Sequence, residues 1–168
     1  MRSPTGKKAK SSTVSNPSAE KQLAGFIAKF APEHQKVIRA ARQWLRKRMR
    51  TAHELVYDNY NFFVIGYSPT ERPTDYIVSI AAAANGVGLS FNHGATLQDP
   101  DGLLLGSGKQ NRFVRLPSAS TLQDPGVARL ITAAVEQSAE PLPKSGKGRL
   151  IIRSISAKQR PRRGTAKK

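Results

Sequence analysis

Apolar residues at helical spacing predict three helices in this chain. The first helix follows Asn16, a favourable capping residue, and has Pro17 in its first turn. Its apolar stripe repeats at i, i+3, i+4 and i+7 and comprises Leu23, Phe26, Ile27 and Phe30. A second helix is predicted over residues 33–51, with the buried stripe Ile38, Ala41, Leu45 and Met49. A third is predicted over residues 124–140, burying Val127, Leu130, Ile131, Ala134 and Val135.

Between the second and third helices, β-branched and aromatic runs predict strands at residues 61–67, 75–84, 87–92 and 111–116. Asn85 and Gly86 predict a two-residue type I′ turn between the second and third of these strands. That turn pairs Val78 with His93, which places His93 at the core-facing rim of the hairpin. The order of elements predicts an α+β fold, with an antiparallel sheet of about four to five strands and helices packed on one face.

The composition changes at both ends and predicts one folded domain between two tails. Residues 1–17 contain hardly any apolar side chain and are predicted to be a disordered basic tail. Residues 18–142 are predicted to form the domain. Residues 143–168 are predicted to be a basic C-terminal tail, in which residues 149–156 are a candidate short strand.

The charge of the chain is concentrated in these ends. The formal net charge is +17, of which residues 1–22 contribute +4 and residues 144–168 contribute +10. Basic tails favour polyanions such as nucleic acid through counterion release, and solubilising ends are the alternative interpretation. The chain has no cysteine, which excludes disulfides and thiolate chemistry. With no apolar run long enough to span a bilayer and no secretory signal, the expected location is the cytoplasm, without a membrane partner.

Basic residues also form a ridge on the second helix, nearly opposite its apolar stripe. The ridge consists of Arg39, Arg42, Arg46 and Arg50. Cations spaced by one helical turn repel each other, so an anionic partner is one explanation and a solvated face is the other. With the C-terminal arginines, the candidate nucleic-acid contacts are Arg39, Arg42, Arg46, Arg50, Arg160, Arg162 and Arg163.

The segment NHGATLQDPDGLLLGSGKQNRFVRL, at residues 92–116, combines turn residues with candidate ligands. It lacks the first glycine and the hydroxyl residue of a phosphate-binding loop, and it lacks the later ligands of a calcium-binding loop. Its Asp-Pro and Asp-Gly steps predict turns, and its three leucines predict a plug against the core. A small-ligand pocket beneath this loop is a further possibility, with candidate residues His93, Lys109, Arg112 and Tyr57. The alternative is that Lys109 and Arg112 pair with Asp99 and Asp101.

Glu54 and Asp58 form a second candidate acidic pair, besides Asp99 and Asp101. In a helix these two residues share a face, where they would suit an acid–base pair or a weak metal site. The alternative is a surface pair or a pair of partners for nearby arginines. No pattern of nucleophile, base and orienting residue is readable in the sequence, so a non-enzymatic protein is expected.

Three stretches resemble the bacterial YdhG-like family, a domain of unknown function. They are HELVYDNYNFFVIGYSPTERPTDYIVSIA, LSFNHGATLQDPDGLLLGSGKQNRFVRL and IIRSISAKQRPRR. The similarity covers about residues 53–163, and helices similar to those of the family extend it back to Leu23. Asp58 and Tyr60 depart from the glycine and proline that family members often carry.

The resemblance implies a small α+β domain, and one branch of the family resembles frataxin, an intracellular iron-binding chaperone. The resemblance implies a protein that requires no cofactor. It also implies that surface carboxylates bind iron weakly and release it to an iron-acceptor protein. The candidate iron ligands in this chain are Glu54, Asp58, Asp99 and Asp101. Two functions are therefore expected as alternatives, an iron chaperone and a nucleic-acid-associated protein that binds polyanions through its basic helix and tails.

Overall fold

The computed structural model describes residues 17–164, which form an α+β fold. In chain order its helices and strands are α1 (Pro17–Ala28), α2 (Pro32–Arg48), β1 (His53–Asp58), β2 (Phe63–Ser68), β3 (Val78–Ala83), β4 (Gly86–Phe91), β5 (Arg112–Arg115), α3 (Pro125–Gln137) and β6 (Leu150–Ile155). The predicted capping residue Asn16 and most of the predicted N-terminal tail lie outside the described residues.

The three helices bury the stripes that their spacing predicts, except for Val135 of α3, which is only partly buried. In α1 and the turn after it, Leu23, Phe26, Ile27 and Phe30 are buried. The buried residues of α2 and its C-cap include Ile38, Ala41, Leu45 and Met49. The helix α3 is capped by Asp124, whose side chain accepts a hydrogen bond from the Gly126 amide at 2.8 Å. It ends three residues earlier than predicted, at Gln137.

The sheet has six strands in the order β5-β4-β3-β2-β1-β6, so the prediction of four to five antiparallel strands is only roughly right. Neighbouring strands are antiparallel except for β6, which pairs with β1 in parallel. The strand β1 was missed because its acidic residues Glu54 and Asp58 face the helices, where alternation would place apolar residues. The six strands therefore form a mixed sheet.

The hairpin between β3 and β4 differs in register from its prediction. Val78 pairs with Phe91 and Ala83 pairs with Gly86, so the turn residues are Ala84 and Asn85. A type I′ turn is absent here, because Gly86 has a φ of +145° and no non-glycine residue in the described chain has a positive φ. The shift preserves which side chains face the core, but His93 lies beyond the strand and is exposed.

The loop after β4 packs flat on the domain. Both carboxylate oxygens of Asp99 accept backbone hydrogen bonds, from the amides of Leu103 at 2.8 Å and Leu104 at 2.9 Å. Leu103 and Leu104 are partly buried against the core, as the predicted plug requires. Leu105 is 42% exposed and instead forms a backbone bridge with Phe113. Two leucines, rather than three, hold the loop.

The C-terminal segment is part of the fold, which differs from the predicted tail. The candidate strand at 149–156 is β6, and the chain continues along α1 and β1 as far as Gly164. A Cβ at Gly148 would overlap the carbonyl of Ala52, so the chain enters β6 by a close approach that only glycine permits. The sequence pattern predicts a tail because polar contacts, and not an apolar stripe, hold most of this segment against the domain.

All three helices cover the same face of the sheet. The main core joins the helices to the side chains of Val56, Ile65, Ile80 and Leu89, which alternate along the strands with residues of the other face. No residue of α1, α2 or α3 lines the concavity on that second face of the described domain.

Candidate functional site

A basic cleft lies between α1, α2 and the start of β6, on the helix side of the sheet. Its volume is about 570 Å³. Two acidic residues, Glu20 and Glu54, line it together with the cations Arg39, Arg42, Arg46, Lys47, Arg50 and Lys147. Cations therefore exceed carboxylates three to one around the cleft.

A buried ionic network surrounds Glu54 in this cleft. Arg42 donates through Nε to Glu54 Oε2 and through Nη2 to Oε1, each at 2.9 Å. The Tyr67 hydroxyl donates to Glu54 Oε2 at 2.7 Å. On its outer side, Arg42 donates to both carboxylate oxygens of Glu20 at 3.1 and 3.0 Å. One guanidinium thus joins α1, α2 and β1 through two bidentate pairs.

The charge states of this network follow from its contacts. The hydrogen bond from Arg42 holds the pKa of Glu20 below its ordinary value. Burial lowers the pKa of Arg42, but the bonds to Glu54 and Glu20 outweigh it and hold that pKa above its ordinary value. Burial, with the nearby charge of Glu54, raises the pKa of Tyr67, so its hydroxyl remains a donor. The network is therefore one guanidinium between two carboxylates, closed at Glu54 by a neutral tyrosine.

The other cations of the cleft remain available to an anion. Arg39, Arg46, Lys47, Arg50 and Lys147 are all exposed. Among the described residues only Arg46 of these five has a carboxylate within salt-bridge distance, Glu54 Oε1 at 4.0 Å. Arg39 donates to the neutral side chain of Gln35 at 3.1 Å. These five residues are called the cleft cations below.

The four arginines of the predicted ridge therefore have two different roles. Arg39, Arg46 and Arg50 belong to the cleft cations, whereas the Arg42 side chain is only 14% exposed. The helical pattern predicts Arg42 as part of an exposed ridge, available to an anionic partner or to solvent, because its partners Glu20 and Glu54 are 22 and 12 residues away along the chain. Sequence reasoning also missed Lys47 and Lys147 as members of the same surface, since only the fold brings residue 147 beside α2.

The predicted C-terminal contacts hold the chain onto the domain. Arg162 is 4% exposed and donates to Asp58 Oδ1 at 2.8 Å and to the Asn59 carbonyl at 2.6 Å. Arg163 donates to the Lys29 carbonyl at 3.2 Å, at the end of α1. Arg160 donates to the Asn61 side chain at 2.9 Å. Arg162 is therefore buried structure, and the other two are exposed residues of a docked segment.

The four carboxylates predicted for iron lie in separate contacts. Glu54 and Asp58 share a face because they belong to a strand, at opposite ends of β1, and each accepts from an arginine. Asp99 caps the loop backbone, and Asp101 pairs with Arg129 at 2.7 Å. Within residues 17–164 no group of three or more His, Asp or Glu side chains is placed to hold a metal ion. Iron binding stays a prediction of the resemblance.

The residues predicted to line a pocket beneath the loop do not meet there. His93 lines a cavity of only about 50 Å³, too small for a ligand. The Arg112 guanidinium donates to the carbonyls of Gly108 and Asn111, so its predicted pairing with an aspartate is wrong. Lys109 is exposed, and Asp101 takes Arg129 as its partner instead. Tyr57 lies elsewhere, on the second face of the sheet.

No protein-family model, curated protein or solved structure matches this chain. The resemblance to the YdhG-like family accordingly remains a prediction. In the part of the chain that the structure describes, no helix has the length and apolar character needed to cross a membrane.

Proposed function

We propose that this protein binds nucleic acid through phosphate contacts in the basic cleft. The observation that supports this most is the group of five cleft cations around one concave surface, of which, among the described residues, only Arg46 has a carboxylate within salt-bridge distance, at 4.0 Å. The described residues contain 22 Lys and Arg against 11 Asp and Glu, so the folded part itself carries a formal charge of +11. Uncompensated cations in a cleft concentrate positive potential and attract polyanions.

The geometry of α2 suits a phosphate backbone. From Arg39 to Lys47 the helix rises by about 12 Å, at 1.5 Å per residue, and Arg50 follows just beyond the end of the helix at Arg48. That length corresponds to about four phosphates along one strand of a duplex, at 3.4 Å of axial rise each. The cleft carries no aromatic side chain other than the buried Tyr67, so contacts that read or stack bases are not part of the proposal. Binding is expected to be independent of base sequence.

A binding role is also favoured over catalysis by the state of the acidic residues. The cleft carboxylate best placed for acid–base chemistry, Glu54, already accepts from Arg42 and Tyr67. Its neighbour Glu20 is held by the same guanidinium. The network therefore serves as a rigid support from which α2 presents Arg39, Arg46 and Lys47.

The salt dependence of DNA binding tests the proposal. The full-length protein and its Arg39→Gln/Arg46→Gln/Arg50→Gln variant are titrated into a labelled duplex, by fluorescence anisotropy, at several salt concentrations. Each lost phosphate contact lowers the log–log salt slope by about 0.9, so the triple variant should lose about 2.7 of the slope. Its affinity at low salt should fall as well.

The matched control is Lys109→Gln/Arg153→Gln/Lys158→Gln, which removes the same charge from exposed positions outside the cleft. This control should keep nearly all of the wild-type slope. Equal losses of slope in the two triple variants would show diffuse attraction to the whole molecule and refute a localised cleft.

A further inference from the structure

The face of the sheet opposite the helices has a regular arrangement of side-chain sizes. Strand pairing places its residues in two rows that run across β1 to β5. One row is Tyr57, Val64, Ala81, Gly88 and Arg115, and the other is Leu55, Gly66, Ser79, Ser90 and Phe113. Large side chains stand on the two outer strands of these rows, and the three strands between carry glycine, alanine and serine together with one valine, Val64. The face is therefore a trough.

The dimensions of the trough suit a small molecule. Its volume is about 650 Å³, within the range of about 300 to 1,000 Å³ typical of ligand sites. Four strand spacings separate its walls, about 19 Å between backbones. Tyr57 and Phe113 line opposite walls, and Phe62 and Tyr76 also line it from loops. The Tyr76 hydroxyl accepts from Asn111 at 2.9 Å, and the same amide donates to Ser90 at 3.1 Å, which holds this end together.

Solvation alone does not explain the composition of the accessible part of this face. Seven of the ten residues in the two rows are at least partly exposed, and the buried ones are Leu55, Gly66 and Ser79. The exposed side of an antiparallel sheet ordinarily carries polar and charged side chains. Of the ten residues in the two rows, Arg115 is the only one with a charge. Phe62, at the edge of the trough, leaves half of its side chain exposed. A floor of mostly small residues, between outer strands that carry Tyr57 and Phe113, favours a ring system lying against the strands.

Arg115 indicates that the ligand carries an acidic group as well as a ring system. It is exposed, and its guanidinium lies 5.6 Å from the centre of the Phe113 ring. Within residues 17–164 no carboxylate lies within salt-bridge distance of it. A cation at the rim of an otherwise uncharged trough complements one acidic group on the ligand.

We propose that the trough binds a flat aromatic small molecule that carries one acidic group, with the rings on the floor of the sheet and the acid at Arg115. The site is independent of the proposed nucleic-acid function, because the cleft lies on the opposite, helix-covered side of the sheet. Failure of either proposal leaves the other unaffected.

Two fluorescent probes test the site on the full-length protein. The neutral probe N-phenylnaphthylamine is titrated first, and anilinonaphthalene sulfonate, its anionic counterpart, is then used to displace it. Displacement reports only on the site of the neutral probe, so anion binding in the basic cleft does not interfere. We expect the sulfonate to bind more tightly than the neutral probe.

Two variants fill the floor, and each should weaken the neutral probe. Ala81→Ile and Ser90→Val place β-branched side chains, which strands accommodate well, in the middle of the trough. The loss should be at least about ten-fold, and the second variant decides the result if the first fails to fold. Arg115→Gln should weaken only the sulfonate, by about ten-fold, since it removes one charge-assisted hydrogen bond. Arg153→Gln, an exposed arginine outside the trough, is the control.

Three results would overturn the proposal. The first is failure of the neutral probe to bind the wild-type protein. The second is unchanged affinity in a folded Ala81→Ile or Ser90→Val variant. The third is an equal effect of Arg115→Gln on both probes, which would show that Arg115 does not recognise an acidic group on the ligand. Unchanged probe binding in Arg39→Gln/Arg46→Gln/Arg50→Gln is expected and separates this site from the cleft.

Discussion

Two inward-facing carboxylates on β1 connect distant parts of the chain. Glu54 and Asp58 lie on the same face of the strand, about 13 Å apart at 3.3 Å per residue. Glu54 is neutralised by Arg42 of α2, and Asp58 by Lys29 at 2.7 Å and Arg162 at 2.8 Å. A buried carboxylate without its partner is strongly unfavourable. Each pair therefore secures one distant segment against the strand.

Replacing Asp58 should lower stability in a way that depends on pH. Burial tends to raise the pKa of Asp58, but the hydrogen bonds from Lys29 and Arg162 outweigh it and hold that pKa below its ordinary value. The stabilisation is therefore complete above the pKa of the unfolded chain, about 3.9, and is lost as the pH falls through the lower folded pKa. At neutral pH, Asp58→Asn leaves the Arg162 guanidinium buried and unpaired, at a cost of about 3 kcal/mol.

Urea unfolding of the wild type and Asp58→Asn at pH 7 and near pH 3 measures this difference. The gap in the free energy of unfolding should be wide at pH 7 and narrow in acid. Asp101→Asn, which removes an exposed carboxylate paired with Arg129, should cost less than about 1 kcal/mol at pH 7. A gap between the wild type and Asp58→Asn that is the same at both pH values would contradict the role of the ionised carboxylate.

At the scale of elements, sequence patterns predicted the parts that have simple periodicity. The stripes of α1, α2 and α3 and the core faces of β3 and β4 follow from spacing alone. The strand β1 escaped prediction because Glu54 and Asp58 occupy inward positions, and only their partners from distant elements make that burial favourable. The position of Arg42 was missed for the same reason.

The trough and the cleft could not be predicted from the sequence, because both depend on how distant strands pair. Register determines that the small residues of β2, β3 and β4 lie side by side, and a hairpin register depends on the turn that forms. The predicted turn at Asn85 and Gly86 was displaced by one residue. Similarly, Lys147 joins the cleft cations only because β6 pairs beside β1, a parallel pairing between segments about 96 residues apart.

Removal of the docked C-terminal segment should destabilise the domain. A chain that ends at Ile155 loses the contacts of Gln159, Arg162 and Arg163 with Asp58 and the end of α1. Compared with a chain that ends at Gly164, it should unfold with a free energy lower by about 3 kcal/mol or more, because Asp58 keeps only Lys29. Thermal and urea unfolding provide the measurement. Equal stability of the two chains would mean that these contacts contribute nothing.

At the scale of the whole molecule, the sheet separates two surfaces of different chemistry. The helix side carries the cleft cations above the Arg42 network, and the other side carries an almost uncharged trough. A formal charge of +11 on the described residues attracts polyanions from any direction, and the cleft presents five exposed cations on one concave surface. The place where DNA contacts the protein, rather than its affinity alone, therefore tests the proposed nucleic-acid function.

The most direct test is a map of the arginine Nε–Hε signals by NMR while a short DNA duplex is added to the full-length protein at moderate salt. The proposal predicts that the signals of Arg39, Arg46 and Arg50 shift together and saturate at the same DNA concentration. The signals of Arg115 and Arg153, outside the cleft, should stay in place. Saturable binding that shifts Arg115 or Arg153 as much as the cleft arginines, or leaves the cleft arginines unchanged, would contradict a nucleic-acid site in the cleft.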